Sequence, residues 1–429
     1  MLGKISCVFL GALLWTVQFG AEAFANGQST HLWISTQAIE ALPDSELRAL
    51  LTDPTFEQYW KNGTMFPDGG YAIGDDYGEI AHWEPFHIEY MNWIITEFST
   101  SDSTLWSIEA KKHIAFLMGL ASHGLADQSF DAMYFRRAYV YDADGMWNES
   151  LDTATDIAFI AQTGAQEVVD HWLPYDGLLS AYIGQGYAVD AATLDAGQAR
   201  LRVAVYWVGG MASQPEQVSS FNAQFPWATS HLFDQEVPGN PSMEAEIVAA
   251  YWQILWKKLH QTSNIEPLLY VQPEDGSAGH PQAKDDIEAS ISFALSTGID
   301  TTLLQPEHIW VANSLGEPHP IGIQVFYGMN SHIVNVTPLE DWDADIYTVH
   351  VAQGLPFING ENLEESLQWT FSTLPIEEIQ EKSDNVKDSQ HGCQNMPSTH
   401  FQMGRLFCIS VFGIYGMIRG FCRRKIQIR

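Results

Sequence analysis

The chain has few basic residues. Lys and Arg number 20 against 53 Asp and Glu in 429 residues, a formal net charge of −33. Such a surface repels polyanions, which excludes a basic groove, so nucleic acid is not an expected partner. A nuclease of this composition would need metal ions to supply its positive field. The hydrophobic share of 46% is that of an ordinary globular protein, so the acidity does not indicate disorder.

Cysteine is almost absent from the body of the chain. Cys7 lies near the N-terminus, and Cys393, Cys408 and Cys422 lie near the C-terminus. Residues 26–392 can therefore form neither a disulfide nor a thiolate metal site. Any metal there must be held by His, carboxylates and backbone groups.

The N-terminus has the pattern of a signal peptide. Lys4 precedes an apolar run that ends at Phe19, and Ala23-Phe24-Ala25 has the small-x-small form of a cleavage site. The run is short for a membrane span. We expect residues 1–25 to be removed, the protein to be exported, and Asn26 to be the first mature residue.

The C-terminus predicts a tether. Residues 376–405 are polar, lack apolar periodicity and are typical of a linker. Residues 406–425 combine an apolar run with a basic end and follow Gly392-Cys393, an order that resembles bacterial C-terminal sorting signals. We expect either a membrane anchor or a processed sorting tail, hence a protein that is secreted or held at the cell surface or outer envelope, with the membrane surface as a partner.

Two domains are expected between these ends. Residues 26–262 carry apolar residues at spacings of three and four, for example over 111–135, 154–171 and 243–259, which predicts an all-α domain. Residues 265–375 contain short alternating segments separated by turn residues, which predicts an all-β sandwich. Its segments "ISFALSTGID", "YTVHVAQGL" and "WTFST" resemble a bacterial Ig-like domain, a module that usually acts in spacing or adhesion.

The segment from His113 to Asp131 contains the most informative pattern. Helical spacing of four places His123, Asp127 and Asp131 on one face, while the flanking residues are apolar. Two carboxylates in such surroundings need a counter-charge, and no Lys or Arg follows Lys112 in this segment. A bound metal ion would supply this counter-charge. The alternative is that the stripe is a solvated helix face, which needs no counter-charge. His113 lies off the stripe and is expected to be structural.

Two clusters upstream contain the same residue types. His31 lies in the first turn of an expected helix that Ser or Thr would cap, and Asp68 and His82 bracket a loop rich in Gly and Asp. Taken singly, each is equally typical of a cap, a turn or a core histidine. Together with the helical stripe they form a His/Asp set suited to zinc.

These pieces resemble the zinc-dependent phospholipase C family, which includes the catalytic domain of glycosylphosphatidylinositol-specific phospholipase D. The matching segments are "GQSTHLWISTQAIEAL", "NGTMFPDGGY", "HWEPF" and "IAFLMGLASHGLAD", in family order. The resemblance covers roughly residues 26–260. It implies an all-α, metal-dependent phosphodiesterase domain that hydrolyses phospholipid-type phosphodiesters with metal-activated water.

The resemblance also implies ligands for two zinc ions. Asp68, His82, His123 and Asp127 would surround the first. Asp127 would bridge to the second, which His31 and the amine and carbonyl of Asn26 would complete. Asp68 would in addition act as general base.

A third metal site is where this sequence departs from the family. The positions that carry imidazoles in the family correspond to Asp131 and Asp152, and Asp156 completes a set of carboxylates only. Such a set suits Ca²⁺, Mn²⁺ or Mg²⁺ as well as Zn²⁺. Glu167 and His171, four residues apart, are an alternative pair.

The substrate is less well defined by the sequence. The resemblance implies aromatic residues at two positions in choline-selective members, where this chain has Gly69 and Glu79, and this weakens the case for a phosphatidylcholine pocket. Glu79 would still attract a cationic head group and is a candidate substrate-binding residue. Cleavage of the C or of the D type stays open. Two alternatives also stay open: a single-strand nuclease of the same superfamily, and a surface or adhesion protein with a structural metal site.

Overall fold

We describe a computed structural model of residues 26–99, 102–143, 150–262, 265–326 and 331–375. The predicted signal peptide, linker and C-terminal tail lie outside these residues. The chain divides between residues 263 and 264 into two compact units, the first helical and the second built of antiparallel strands. The predicted order, all-α followed by all-β, is confirmed.

The helical unit contains fourteen α-helices within the described residues. They are α1 (Gln28–Ala41), α2 (Glu46–Thr52), α3 (Pro54–Met65), α4 (Asp68–Tyr71), α5 (Tyr77–Ala81), α6 (Glu84–Phe98), α7 (Ile108–Ser129), α8 (Arg136–Asp142), α9 (Ser150–Thr163), α10 (Tyr175–Gly184), α11 (Ala191–Ala212), α12 (Pro215–Gln224), α13 (Pro226–Ser230) and α14 (Pro241–Leu259). A π-helix (Phe130–Phe135) continues α7 into α8.

Helix α7 is the centre of this unit. It is buried without interruption from His113 to Ser129 and packs against α3, α6 and α14. Two glycines let neighbouring backbone approach it closely. A Cβ on Gly119 would lie 1.9 Å from the Trp60 carbonyl of α3, and one on Gly124 would lie 2.0 Å from the His82 carbonyl. Because these positions carry no Cβ, α3 and the His82 segment can pack directly against α7.

Helix α1 does not have the cap that its sequence predicts. Its N-cap is Gly27, and neither Ser29 nor Thr30 caps it. Asp156 of α9 performs this role instead: its Oδ1 accepts from the backbone N–H of Thr30 at 3.2 Å and from the Thr30 hydroxyl at 2.9 Å. A carboxylate at a helix N-terminus satisfies an unpaired donor and the helix dipole, whichever part of the chain supplies it.

The helix predicted over residues 154–171 is shorter than expected. α9 ends at Thr163, where Gly164 has φ +84°, and no helix is present from there to Pro174. Glu167 and His171 are therefore not one helical turn apart. His171 instead lies 2.7 Å from Asp195, at the protein surface.

The second unit has two four-stranded antiparallel sheets. One has the order β1 (Leu268–Gln272), β2 (Ile291–Leu295), β6 (Ile333–Pro338) and β5 (Ile321–Val325). The other has the order β4 (Pro318–His319), β3 (Ile309–Ala312), β7 (Ile346–Val351) and β8 (Leu367–Ser372). Strand β2 is buried along its whole length, and a 3₁₀ turn, Ile287–Ala289, precedes it.

The two sheets enclose one apolar core. Register places Phe293 opposite Val334 within the first sheet, and the ring of Phe293 meets the ring of Trp369 of the second sheet at 5.4 Å, edge to face. Strand β7 alternates buried and half-buried residues as a strand with one core face should. The Ig-like assignment of this unit stays a prediction.

Within the described residues, no helix is both long enough and apolar enough to cross a bilayer.

Candidate metal centre

Five predicted ligands converge inside the helical unit. His31 comes from the first turn of α1, Asp68 opens α4, His82 directly follows α5, and His123 and Asp127 are one turn apart on α7. All five are buried, and the side chains of His31 and His123 are fully inaccessible. These residues are far apart in the sequence, and the close packing around α7 brings their side chains together.

Four of these residues form a compact set of donor atoms. His82 Nε2 lies 3.0 Å from His123 Nε2, 3.4 Å from Asp68 Oδ1 and 3.2 Å from Asp127 Oδ2. His123 Nε2 lies 3.5 Å and 3.4 Å from the same two oxygens. Four ligands placed tetrahedrally at about 2.0–2.1 Å from zinc are about 3.3–3.4 Å apart. The cluster has the chemistry and the dimensions of a metal site.

The backbone fixes which ring nitrogen faces the site. Nδ1 of His82 donates to the Gly78 carbonyl and Nδ1 of His123 donates to the Thr64 carbonyl, each at 2.7 Å. A carbonyl only accepts, so Nδ1 carries the proton and Nε2 is the nitrogen left for a metal. This outer hydrogen bond is the usual support of a metal-binding imidazole.

The charges of the cluster support one another. Burial alone would lower the pKa of His123, but Asp127 and Asp68 raise it to about 9. Burial alone would raise the pKa of Asp127, but His31 and His123 hold it well below its usual range. In the absence of a cation, protons on the imidazoles balance the carboxylates, and a metal would take their place.

Asp127 also faces a second position. Its Oδ1 lies 2.8 Å from His31 Nε2, and the two buried atoms pair with each other. The ring of His31 stacks on that of His123 at 3.8 Å, which holds it beside the cluster. A buried carboxylate oxygen and imidazole nitrogen that face each other are donor types that a second cation would join.

Asp68, the candidate general base, is oriented by a residue that the sequence reasoning missed. Its Oδ1 faces His82 and His123, while Oδ2 accepts a short hydrogen bond from Nε2 of Gln28. Gln28 lies in the first turn of α1, three residues before His31. In the sequence, Gln28 is indicated only by its position within "GQSTHLWISTQAIEAL", the segment that resembles the phospholipase family.

The carboxylates predicted for a third metal do not join the four-residue cluster. Asp131 lies in the π-helix beyond α7, and Asp152 lies in the first turn of α9. Asp156 caps α1, and its burial raises its pKa to about 6. All three are buried, and a third site formed by them stays a prediction.

Glu79 lies at the outer side of the cluster. It is exposed, and it accepts hydrogen bonds from the Tyr71 hydroxyl at 2.5 Å and from Trp83 Nε1 at 2.9 Å. The ring of Tyr71 stacks on His82 at 4.9 Å. Tyr71 thus supplies an aromatic wall here, although position 69 is a glycine. The sequence reasoning missed Tyr71 because only the fold of α4 against α5 brings it to Glu79.

A second residue missed by the sequence reasoning is Glu244 in the first turn of α14. It is fully buried, and its Oε2 accepts from Nδ2 of Asn26 at 2.7 Å. Burial raises its pKa well above the usual range, and the charges of Asp127 and Asp131 add to this shift. Helix α14 begins more than 100 residues after Asp127, so no local pattern indicates this contact.

Two curated proteins are similar to part of the chain. Mouse phosphatidylinositol-glycan-specific phospholipase D is 29% identical over 133 residues, which are 29% of this chain and 15% of the mouse protein. Its rat counterpart is 27% identical over 145 residues, or 32% of this chain and 17% of that protein. The matched region is thus related to a phospholipase, and it spans about a sixth of the length of these relatives.

No family model matches the chain. Solved structures of the bacterial surface-layer protein SbsC align at a TM-score of 0.20 with 11–12% identity, covering 67–68% of this chain and 46% or 77% of the aligned chains. A similarity at this level carries no argument about fold or function.

Proposed function

We propose that the protein is an exported, metal-dependent phosphodiesterase that hydrolyses phospholipid-type phosphodiesters. The observation that carries the proposal is the arrangement around Asp127, whose Oδ2 belongs to the four-residue set of donors while Oδ1 meets His31 at 2.8 Å. One carboxylate placed between two cation positions is typical of centres that cleave phosphate esters. The partial similarity to phosphatidylinositol-glycan-specific phospholipase D supports a lipid phosphodiester as the substrate.

The residues present fit zinc at the first position, by donor type and by spacing. Bound cations would supply positive charge for the phosphoryl oxygens and acidify the attacking water. They would also reverse the sign of the local field. Because the chain has a net charge of −33, an anionic substrate would otherwise be repelled from the site.

The protein groups have separate roles in this reaction. Asp68 accepts the proton of the attacking water on a carboxylate that Gln28 holds in one orientation. The Gly78 and Thr64 carbonyls hold the rings of His82 and His123. These hydrogen bonds are present without substrate and orient the side chains in advance.

The accessible side of the centre gives the direction of approach. The side chains of Asp68 and His82 keep 10% and 6% of their surface exposed, whereas His31 and His123 keep none. Substrate would therefore enter on the side where Tyr71 and Glu79 lie. A carboxylate held by Tyr71 and Trp83 suits a cationic or hydroxyl-bearing head group.

The test uses the purified mature protein, which begins at Asn26, loaded with zinc. Phosphatidylcholine vesicles, a glycosylphosphatidylinositol-anchored protein, single-stranded DNA and RNA are supplied in parallel. We expect lipid cleavage that a chelator abolishes, that Asp68→Asn removes, and that Asp76→Asn, at an exposed position in the same loop region, leaves intact. A phosphorylated head group would indicate cleavage of the C type, and phosphatidic acid the D type.

Two results would overturn the proposal. Stoichiometric zinc without turnover of any substrate would indicate a structural metal site in a surface protein. Turnover confined to the nucleic acids would indicate a nuclease.

A further inference from the structure

The outer face of α11 is apolar along most of its length. Positions three and four residues apart share one face of a helix, and the exposed positions of α11 from residue 196 onward follow this spacing. They form what we call the α11 face: Ala196, Ala199, Val203, Tyr206, Trp207 and Gly210. A surface helix ordinarily turns polar residues towards the solvent, so this pattern is the reverse of the usual one.

Tyr206 and Trp207 make this face more than a row of small residues. Tyr206 is 82% exposed, Trp207 is 60% exposed and Val203 is 45% exposed. Among the described tryptophans, Trp207 alone is exposed. A Cβ added to Gly210 would meet no atom within 4 Å, so the described residues leave this end of the face uncovered. Large aromatic side chains that are left together in contact with water indicate a binding surface.

The charge of this segment differs from that of the whole chain. Residues 196–215 contain no Asp or Glu, although the protein has 53 of them, and the segment carries Arg200 and Arg202. Arg200 lies two helical turns before Trp207 and thus at the edge of the α11 face. Its sign is opposite to that of lipid phosphates. These phosphates are therefore not repelled here, as they would be over most of an acidic surface.

The opposite face of α11 packs against the segment that carries the candidate general base. Gln198 Nε2 donates to the Phe66 carbonyl at 2.8 Å. Gly197 lets the two backbones meet, since a Cβ there would lie 2.5 Å from the Gly69 carbonyl. Phe66 and Gly69 lie on either side of Asp68 in the chain. Because a helix with its side chains is about 10–12 Å across, a surface on the outer side of α11 would lie roughly one helix diameter from this segment.

We propose that the protein docks on phospholipid bilayers through the α11 face, with the side chains of Tyr206 and Trp207 in the head-group layer. Both side chains combine an apolar ring with a polar tip, and both residue types are enriched at this depth of a membrane. A helix with one apolar face lies in the plane of such an interface and binds in proportion to the apolar area that it buries. The inference rests on the proposed function, because a lipid substrate makes a lipid surface the expected partner. Binding can nevertheless be measured without hydrolysis.

The first experiment locates Trp207 when the protein binds vesicles. The zinc-loaded mature protein, which begins at Asn26, is mixed with phosphatidylcholine vesicles whose acyl chains carry bromine, a contact quencher of tryptophan fluorescence. Quenching is read immediately after mixing. Trp207→Phe should lose most of it, while Trp310→Phe, at a half-buried position of β3, should keep it. Residues 376–429 contain no tryptophan, so the predicted C-terminal tail does not itself produce this signal.

A matched pair of substitutions tests the charge of the α11 face. Ala199→Glu and Ala199→Lys each place a long helix-forming side chain at an exposed position, with opposite signs. We expect Ala199→Glu to reduce the quenching of Trp207 several-fold and Ala199→Lys to reduce it less. The reason is that a carboxylate facing the phosphate layer is both repelled and desolvated.

The double variant Tyr206→Ser with Trp207→Ser separates docking from catalysis. We expect its KM for phosphatidylcholine vesicles to rise by about tenfold, with kcat/KM unchanged for a short-chain phosphatidylcholine that is dissolved as monomers. The control is Leu303→Ser with Leu315→Ser, which removes two exposed apolar side chains of the β unit and should change neither constant. The melting temperature should stay the same in both double variants, because the replaced side chains are exposed.

Equal quenching in Trp207→Phe and in the unchanged protein would overturn the inference and leave the proposed function standing. If light scattering in addition showed a dimer that Tyr206→Ser with Trp207→Ser disperses, the α11 face would belong to a second copy of the chain instead. Trp207-dependent quenching in a protein that hydrolyses no phosphodiester would defeat the proposed function and leave the docking surface standing.

Discussion

The helical unit and the β unit differ in the side chains that they bury. Seven carboxylates are buried among the described residues of the helical unit, namely Asp68, Glu84, Asp127, Asp131, Asp152, Asp156 and Glu244, whereas the described residues of the β unit bury none. The buried polar side chains of the β unit include cross-strand pairs, such as Ser292 with Asn335 at 2.6 Å and His332 with the Leu295 carbonyl at 2.8 Å.

This difference separates a core built for stability from one built for function. An apolar core with neutral hydrogen-bonded groups is stable without any ligand. Buried carboxylates carry a desolvation cost that protein cations reduce only in part, as Lys258 does for Glu84 at 3.4 Å. The helical unit is therefore the one whose stability should depend on bound metal, and four experiments test that contrast.

The largest effect is expected from Asp127→Asn. Asp127 contributes an oxygen to each cation position, so we expect weaker binding of both cations and a roughly thousand-fold loss of phosphodiesterase activity, equivalent to about 4 kcal/mol. Activity assays and zinc titrations measure this, with Asp76→Asn as the exposed control. Retention of both cations would contradict the bridging role of Asp127.

Removal of metal should affect one unit only. With zinc at roughly a thousand times its dissociation constant, binding stabilises the protein by about 4 kcal/mol. On chelation, hydrogen exchange in α7 should accelerate while exchange in β2 and β7 stays the same. Equal acceleration in both units would show that the contrast does not extend to stability.

The pH dependence of the metal-free protein follows from His123. Its folded-state pKa of about 9 lies above the ordinary value of 6.5. Its stabilising contribution is therefore complete below about pH 6.5 and is lost as the pH rises through about 9. We expect the melting temperature measured with a chelator to fall across this range. The zinc-loaded protein should not show this fall, because metal replaces the proton.

The smallest effect is expected from Tyr71→Phe. Loss of the 2.5 Å hydrogen bond to Glu79 frees a carboxylate that faces the approach side, at a cost of about 1 kcal/mol. We expect KM to rise by about three- to tenfold with little change in kcat. Tyr175→Phe, which removes a comparable surface bond to Asp195, should change neither constant.

The sequence predicts the parts of this molecule that are local. The periods of three and four residues predict the all-α domain and the helices α7, α9 and α14, and the quoted alternating segments predict β2, β7 and β8. The helical face of His123 and Asp127 also follows from spacing alone. The two-residue strand β4 is too short for such a pattern.

The features that the sequence did not predict depend on distant contacts. Asp156 caps α1 from a position 126 residues away, and Glu244 meets Asn26 across 218 residues. A local pattern for the first turn of α1 instead indicated Ser or Thr as the cap. The left-handed Gly164 ended α9 before His171, against the apolar spacing that continued beyond it.

The most direct test of the central claim is X-ray absorption at the zinc edge on the full-length protein with one equivalent of zinc. We predict four nitrogen or oxygen ligands at about 2.0–2.1 Å, with two imidazoles among them. Replacement of His82 by Asn should reduce the imidazole signal to one. Six light ligands without an imidazole contribution, or no bound zinc, would contradict the assignment of Asp68, His82, His123 and Asp127 as a metal centre.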